Sequence, residues 1–453
     1  MHPCLVNTPP EPILPASSLD ETHDPTVQSW VSGTDAVGGD FPIQNLPFGV
    51  VRPAGSEAPF RGAVAIGDQV LDLGRCAGLL EGRAAAAAEA ASGSTLNALM
   101  ALPPDYWTAL RQGLFALLRQ GSPARSRVAP LLVPLTTVQV GMPAKPGAFV
   151  DFFASIQHAT NAGRLFRPDN PLLPNYRHVP IAYHGRVSTL RASGVPIRRP
   201  NGQTRPPGQE APEFGPCQRL DYEVELGFFL GGATEPGSTV PIGRAARHLF
   251  GVCLLNDWSA RDIQAWEYQP PGPFLGKSFA TSISPWIVTA DALRPFRAPA
   301  AQRPAEDPRP LPYLLDAEDQ AGGALEITVE AGLRTAAMAE PHWLSRASAS
   351  ALYWTPAQMV AHLTSNGCNI EPGDLLGSGT ISGPDAGGLG SLLELSHGGA
   401  RAIALPGGET RRFLEDGDEV VLRASGTRAG FVRIGFGACS GRILPALPPE
   451  TKA

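Results

Sequence analysis

Three stretches of this sequence carry carboxylates or imidazole where they could do chemistry. In Asp221-Tyr222-Glu223-Val224-Glu225-Leu226 acidic and apolar residues alternate strictly. An extended strand would present Asp221, Glu223 and Glu225 on one face and Tyr222, Val224 and Leu226 on the other, with neighbouring carboxylates about 7 Å apart. Two such groups can close on one hard cation, because Ca²⁺ and Mg²⁺ take oxygen ligands and relieve the repulsion between them. The plainer alternative is a solvated acidic face. Asp257 follows the apolar run from Leu249 to Leu255; it either delivers a carboxylate at a strand end or caps a helix starting near Ser259. In Asp151-Phe152-Phe153-Ala154-Ser155-Ile156-Gln157-His158 a carboxylate precedes a histidine. Histidine is the side chain whose ordinary pKa, about 6.5, lets it take and return a proton near neutrality, although a lone histidine is more often structural.

Two glycine-flanked polar turns, from Pro273 to Phe279 and from Gly377 to Gly383, would let backbone approach a small ligand. The first lacks the glycine pattern of a phosphate loop and the second lacks its lysine, so neither argues for a nucleotide. Tight turns between strands are the competing reading.

The elements that must position these groups are mostly short strands. The 453 residues include 50 Gly and 47 Pro, turn-rich but below the roughly 25 to 30% of disordered chains. Residues 1–39 read as a partly ordered leader. Residues 40–140 hold two strands, Gly62 to Ile66 and Gln69 to Leu73, around a Gly67-Asp68 turn. They also hold two helices, near Arg83 to Ala91 and from Asp105 to Leu118, the second capped by Asp105. Residues 141–453 are strand-rich, with one clear helix from Thr355-Pro356 to just before Gly367 and two late strands, Glu419 to Arg423 and Phe431 to Phe436.

The net charge of −6 and the lack of a long basic run argue against nucleic acid as a partner. No apolar stretch reaches the roughly 18 residues of a membrane span and no secretory signal opens the chain, which predicts a cytoplasmic protein. The six cysteines have no close pairs, as expected of reduced thiols rather than a disulfide framework or zinc site.

In order along the chain, Gln157-His158-Ala159-Thr160-Asn161, Tyr183-His184-Gly185-Arg186, the run from Asn256 to Gln264, Gly276-Lys277-Ser278-Phe279 and the run from Ser378 to Pro384 resemble the fumarylacetoacetase family. The likeness extends from Asp40 to Leu447. It implies a mainly β, α+β architecture: a small SH3-like N-terminal barrel, then a large mixed β-roll catalytic domain that forms a homodimer. It implies that Asp151, Glu223, Glu225 and Asp257 ligate Ca²⁺ or Mg²⁺. A second cation would lie beside Asp257, Thr281 and the backbone oxygen of Lys277, since an ammonium group cannot be a ligand.

The same resemblance makes His158 the base that activates water and Glu394 its orienting partner. The implied reaction is hydrolysis of a small diketo acid, fumarylacetoacetate, in tyrosine breakdown. Arg261, Gln264 or Lys277 would stabilise the oxyanion, and Arg167, Tyr183, Gln264, Tyr268 and Thr380 would contact substrate. One position departs: Phe153 stands where the family usually has tyrosine, which removes a phenol and leaves substrate preference open. Shorter relatives that hydrolyse acylpyruvates are the enzymatic alternative, and a non-catalytic binder of metal or dicarboxylate is the alternative outside catalysis.

Overall fold

The computed structural model describes residues 19–34, 36–206 and 208–448. The first 18 residues of the expected leader lie outside the described residues. The part that is described is docked: the buried Arg111 guanidinium donates to Thr22 Oγ1 and to the carbonyls of Gln44 and Asn45, and Trp30 Nε1 donates to the Leu117 carbonyl. Low hydrophobicity left this segment without periodicity, and hydrogen bonds to a buried arginine hold it instead.

The N-terminal unit is an antiparallel five-stranded sheet in the order Leu132–Pro134, Gln69–Asp72, Arg61–Ile66, Phe48–Pro53 and Val138–Val140. The expected hairpin is present, with Gly67 at φ 56° in its two-residue turn, a conformation that favours glycine. Helices Gly82–Ala90 and Pro104–Leu118 pack on the sheet. The second begins one residue before the expected cap, because Pro104 has the right φ and no N–H to satisfy. Asp105 falls in the first turn and pairs with Arg83 at 2.9 Å.

The rest of the chain is built on two sheets. The larger is mixed, in the order Ala182–His184, Phe149–Phe152, Leu375–Gly377, Val224–Leu230, Leu249–Asp257, Thr281–Ile283 and Leu190–Ala192, with Val288–Thr289 also paired to Leu249–Asp257. The other runs His342–Ser348, Ile327–Arg334, Glu419–Gly426, Ile434–Leu444 and Ile197–Arg198. Its last long strand outruns the expected Phe431 to Phe436, because the weakly apolar stretch from Ala438 to Arg442 still pairs with Glu419 to Arg423. The helix Pro356–Leu363 has the expected Thr355 cap, completed by the Gln358 side chain.

The larger sheet is covered on both faces. Val224, Leu226, Phe228 and Leu230 enter the core shared with the second sheet, while Phe229, Leu255, Ile283 and Leu375 enter the core shared with the N-terminal unit. The acidic stretch is therefore buried throughout, and the solvated-face reading fails, but it is not one strand: Leu220–Asp221 pairs with Ser259–Ala260, the strand breaks at Tyr222, and the central strand starts only at Val224. Asp257 does not cap a helix either: Ser259–Ala260 pairs with Leu220–Asp221 and the helix begins at Arg261. Phe250 ties the two units together, its ring 5.1 Å from Trp107 and 6.3 Å from Phe48. Phe250→Ala should cost about 3 to 5 kcal/mol, measured as a lower urea midpoint. A change under about 1 kcal/mol would mean this contact carries little of the packing between the units.

Candidate active site

Adjacent strands of the large sheet each bring one group to the same end. Register sets Gly377 beside Asp151 on one side and Gly227 on the other, while Asp257 pairs with Thr281 and Asp151 with Tyr183. Asp151, Glu225 and Asp257 offer carboxylate oxygens that lie within 4.8 Å of one another, all buried. Asp151 Oδ1 and Glu225 Oε1 have no hydrogen-bond partner in the protein. Asp257 Oδ1 accepts from Thr281 Oγ1 at 3.0 Å, and its Oδ2 accepts from Tyr183 Oη and Lys277 Nζ, each at 2.7 Å. Tyr183 Oη also stands 3.1 Å from Asp151 Oδ2.

Glu223 is placed differently from the other expected ligands. Its Oε2 accepts from Lys277 Nζ at 2.5 Å and its Oε1 lies 2.7 Å from Arg261 Nη1. Burial would raise its pKa, but the charges of Lys277 and Arg261 outweigh that and hold it below the usual range. Lys277, expected to act through its backbone oxygen, turns its ammonium group into the site between Glu223 and Asp257.

Charge bookkeeping explains the arrangement. Four buried carboxylates, Asp151, Glu223, Glu225 and Asp257, face two buried cations, Arg261 and Lys277. Arg261 is shared with a fifth buried carboxylate, Asp221, so the set, fully ionised, is short of positive charge. The unpartnered oxygens and the all-oxygen donor set fit a hard ion such as Ca²⁺ or Mg²⁺. Gly377 leaves room for it: a Cβ there would meet Asp151 Oδ1 at 2.4 Å and Glu225 Oε2 at 2.9 Å. At Gly379, with φ +72°, the chain passes so close to Phe152 that a Cβ would stand 2.2 Å from its carbonyl oxygen, and the Gly379 N–H donates to Glu225 Oε2 at 3.0 Å.

Beside this cluster stands the histidine. His158 is in the helix Ile156–Phe166, capped by Ser155. Its Nδ1 is 2.7 Å from Glu394 Oε2, and its Nε2 is 4.0 Å from Glu223 Oε1. Glu394 also accepts from Asn161 Nδ2 at 3.0 Å and from the hydroxyls of Ser382 and Ser391, each at 2.9 Å. Burial would raise the Glu394 pKa, but the His158 charge and these hydrogen bonds hold it down to about 2. Phe153 sets its ring edge-on to the His158 imidazole, 5.4 Å between centroids.

Of the expected substrate contacts, Arg167 Nε and Thr380 Oγ1 are buried without a partner, Gln264 Oε1 accepts from Arg261 Nη1 at 3.2 Å, and the Tyr268 ring stands 6.0 Å from Phe166. Sequence reasoning assigned no role to Asn161, Ser382 or Ser391. Ser391 carried a signal, since Ser391-Leu392-Leu393-Glu394 has the spacing of a helix cap.

Comparison with known proteins covers nearly the whole chain. Residues 148–444 match the model of the fumarylacetoacetate hydrolase C-terminal domain, and residues 44–143 that of the fumarylacetoacetase N-terminal domain. The chain belongs to the fumarylacetoacetase family. It is accordingly a hydrolase. The fumarylacetoacetase of Mus musculus is 46% identical over 417 residues, which span 90% of this chain and 97% of the mouse protein. The Arabidopsis thaliana fumarylacetoacetase is 45% identical over 421 residues, or 91% of this chain and 98% of the plant protein. A solved fumarylacetoacetate hydrolase from psychrophilic Exiguobacterium antarcticum aligns over 88% of this chain and 99% of its own, with a TM-score of 0.47 and 15% identity.

Two measurements follow from the cluster. Gly377→Ala should weaken divalent-cation binding about tenfold or more by pushing Asp151 and Glu225 aside, read by titration calorimetry; unchanged affinity would remove Gly377 from the site's design. The second concerns protons. Burial, then the charge of Asp257, lifts Asp151 well above the usual carboxylate range, and burial, then Asp151, does the same to Glu225. Without a cation these groups keep protons that the unfolded chain releases above about pH 4. Stability of the metal-free protein therefore falls as pH rises from there through the raised values. A cation must displace those protons, so its affinity climbs over the same window and binding within that window releases protons. Calorimetry in two buffers of different ionisation heat reads that release; identical heats after buffer correction for zero protons would contradict it.

Proposed function

We propose that this chain hydrolyses fumarylacetoacetate to fumarate and acetoacetate, with His158 as the base. The observation that carries the mechanism is the His158–Glu394 pair set against a carboxylate cluster short of positive charge. With Nδ1–H donated to Glu394, the His158 Nε2 lone pair faces the cluster, and Glu394 stabilises the imidazolium that forms. Nε2 takes a proton from water as the water oxygen bonds to the ketone carbon of the fumaryl group. Arg261, Gln264 and Lys277 are the donors available to the oxyanion. Its collapse breaks the bond to the neighbouring carbon, whose electron pair becomes the acetoacetate enolate and takes back a proton.

A divalent cation held by Asp151, Glu225 and Asp257, with Glu223 beside them, would supply Lewis-acid stabilisation to the diketone oxygens. The oxygen-only donors support Ca²⁺ or Mg²⁺, and the resemblance supports a second cation at Asp257, Thr281 and the Lys277 backbone oxygen. For substrate, Arg167 suits a carboxylate because its planar fork can engage both oxygens, with Tyr183, Gln264, Tyr268 and Thr380 as the remaining contacts. The N-terminal five-stranded sheet is assigned as an SH3-like barrel and the larger unit as a β-roll, on the same resemblance. No described helix is long and apolar enough to cross a membrane. The five described cysteines are unpaired, which supports a cytoplasmic setting, and a homodimer is the assembly the family suggests.

Loss of fumarylacetoacetate absorbance is the assay. His158→Ala should lower kcat by about 10² to 10⁴, and chelation should abolish turnover that Mg²⁺ or Ca²⁺ then restores. Full activity in the folded variant would sink the role given to His158. Faster turnover of acetylpyruvate than of fumarylacetoacetate would move the assignment to the acylpyruvate hydrolases.

A further inference from the structure

Asp221 shares the acidic stretch with Glu223 and Glu225, yet it belongs neither to the carboxylate cluster nor to the reaction above. Its side chain is fully buried, at 0% exposure. Oδ2 accepts from Arg261 Nε at 2.9 Å, lies 2.9 Å from Arg261 Nη2, and accepts from the Leu393 N–H at 2.9 Å. Oδ1 accepts from the N–H groups of Leu392 and Tyr222, both at 2.8 Å. This is the donor set of an ionised carboxylate, which only accepts.

The donors come from two parts of the mechanism. One is Arg261, whose Nε donates to Asp221 while Nη2 adds an ion-pair contact, which leaves Nη1 to meet Glu223 and Gln264. The other is the first turn of the short helix Leu392–Leu395, whose next residue, Glu394, holds His158. The N–H groups of such a turn have no partner within the helix, and Asp221 takes two of them. One carboxylate therefore fastens the guanidinium and the turn that aims the base.

We propose that Asp221 is a positioning residue that fixes Arg261 and the Glu394–His158 pair at one separation, so that oxyanion donor and base act on the same carbonyl. The inference rests on the roles assigned above to His158, Glu394 and Arg261. An amide in place of the carboxylate presents hydrogens to groups that are themselves donors, so the guanidinium and the turn must separate. Misplacement on the order of 1 Å at a reacting group can cost about 100-fold in rate.

The test uses the full-length, cation-loaded enzyme. Asp221→Asn should lower kcat by about 10- to 100-fold, leave KM and the number of bound cations unchanged, and shift the limb of the kcat/KM pH profile that belongs to the base. Arg261→Lys is the second arm: it keeps the charge but gives up the Nε hydrogen bond to Asp221, so it should shift the same limb in the same direction. Wild-type kcat in folded Asp221→Asn, or a lowered kcat with the limb unmoved, would overturn the proposal. If Asp221→Asn does not fold, Arg261→Lys decides: a moved limb supports the proposal and an unmoved limb overturns it. An active His158→Ala would strike the underlying mechanism instead, whereas an inactive His158→Ala beside an unaffected Asp221→Asn strikes this inference alone.

Discussion

The constraint on which the rest of the structure depends is the burial of more negative than positive charge at one end of a sheet. Asp151, Glu223, Glu225 and Asp257 are each at most 5% exposed, and ionised carboxylates removed from water cost several kcal/mol apiece unless paired. Lys277 and Arg261 supply two of the opposing charges from side chains that are themselves buried. The remaining deficit is what a divalent cation would fill. Everything else nearby holds donors against these oxygens or keeps space open between them.

Such a site needs a sheet with no wet face. The second sheet covers one side of the central strands, and the helix Pro104–Leu118 of the N-terminal unit, through Trp107, Leu110 and Leu114, helps to close the other. The N-terminal unit adds no residue to the carboxylate cluster or to the His158–Glu394 pair, but it removes water from beneath the strands that carry the carboxylates. Low local dielectric strengthens every charge interaction in the cluster and makes each unmet one more costly.

The base and the cluster are distinct structures that share a wall. Glu394 is held down by four hydrogen-bonding neighbours, and Glu223 by two cations, yet His158 lies between them, with one ring nitrogen on the first and the other facing the second. Arg261 joins the two halves by pairing with both Glu223 and Asp221. Phe153 adds an apolar wall beside the imidazole.

By itself the sequence determined the elements whose signals are local: the hairpin at Gly67, the capped helix after Thr355, and the acidic alternation from Asp221 to Glu225. It also carried the ordered motifs that resemble the family, and with them the residues expected at the site. Local patterning could not tell a buried acidic strand from a solvated one, because alternation has the same period in both; only the packing of two further layers on the sheet decided it. Nor could it separate Asp221 from Glu223 and Glu225. Those three share a face in an ideal strand, and their different duties come from Arg261, Lys277 and the turn at Leu392, partners that lie from 38 to 172 positions away in the chain and meet them only through the fold.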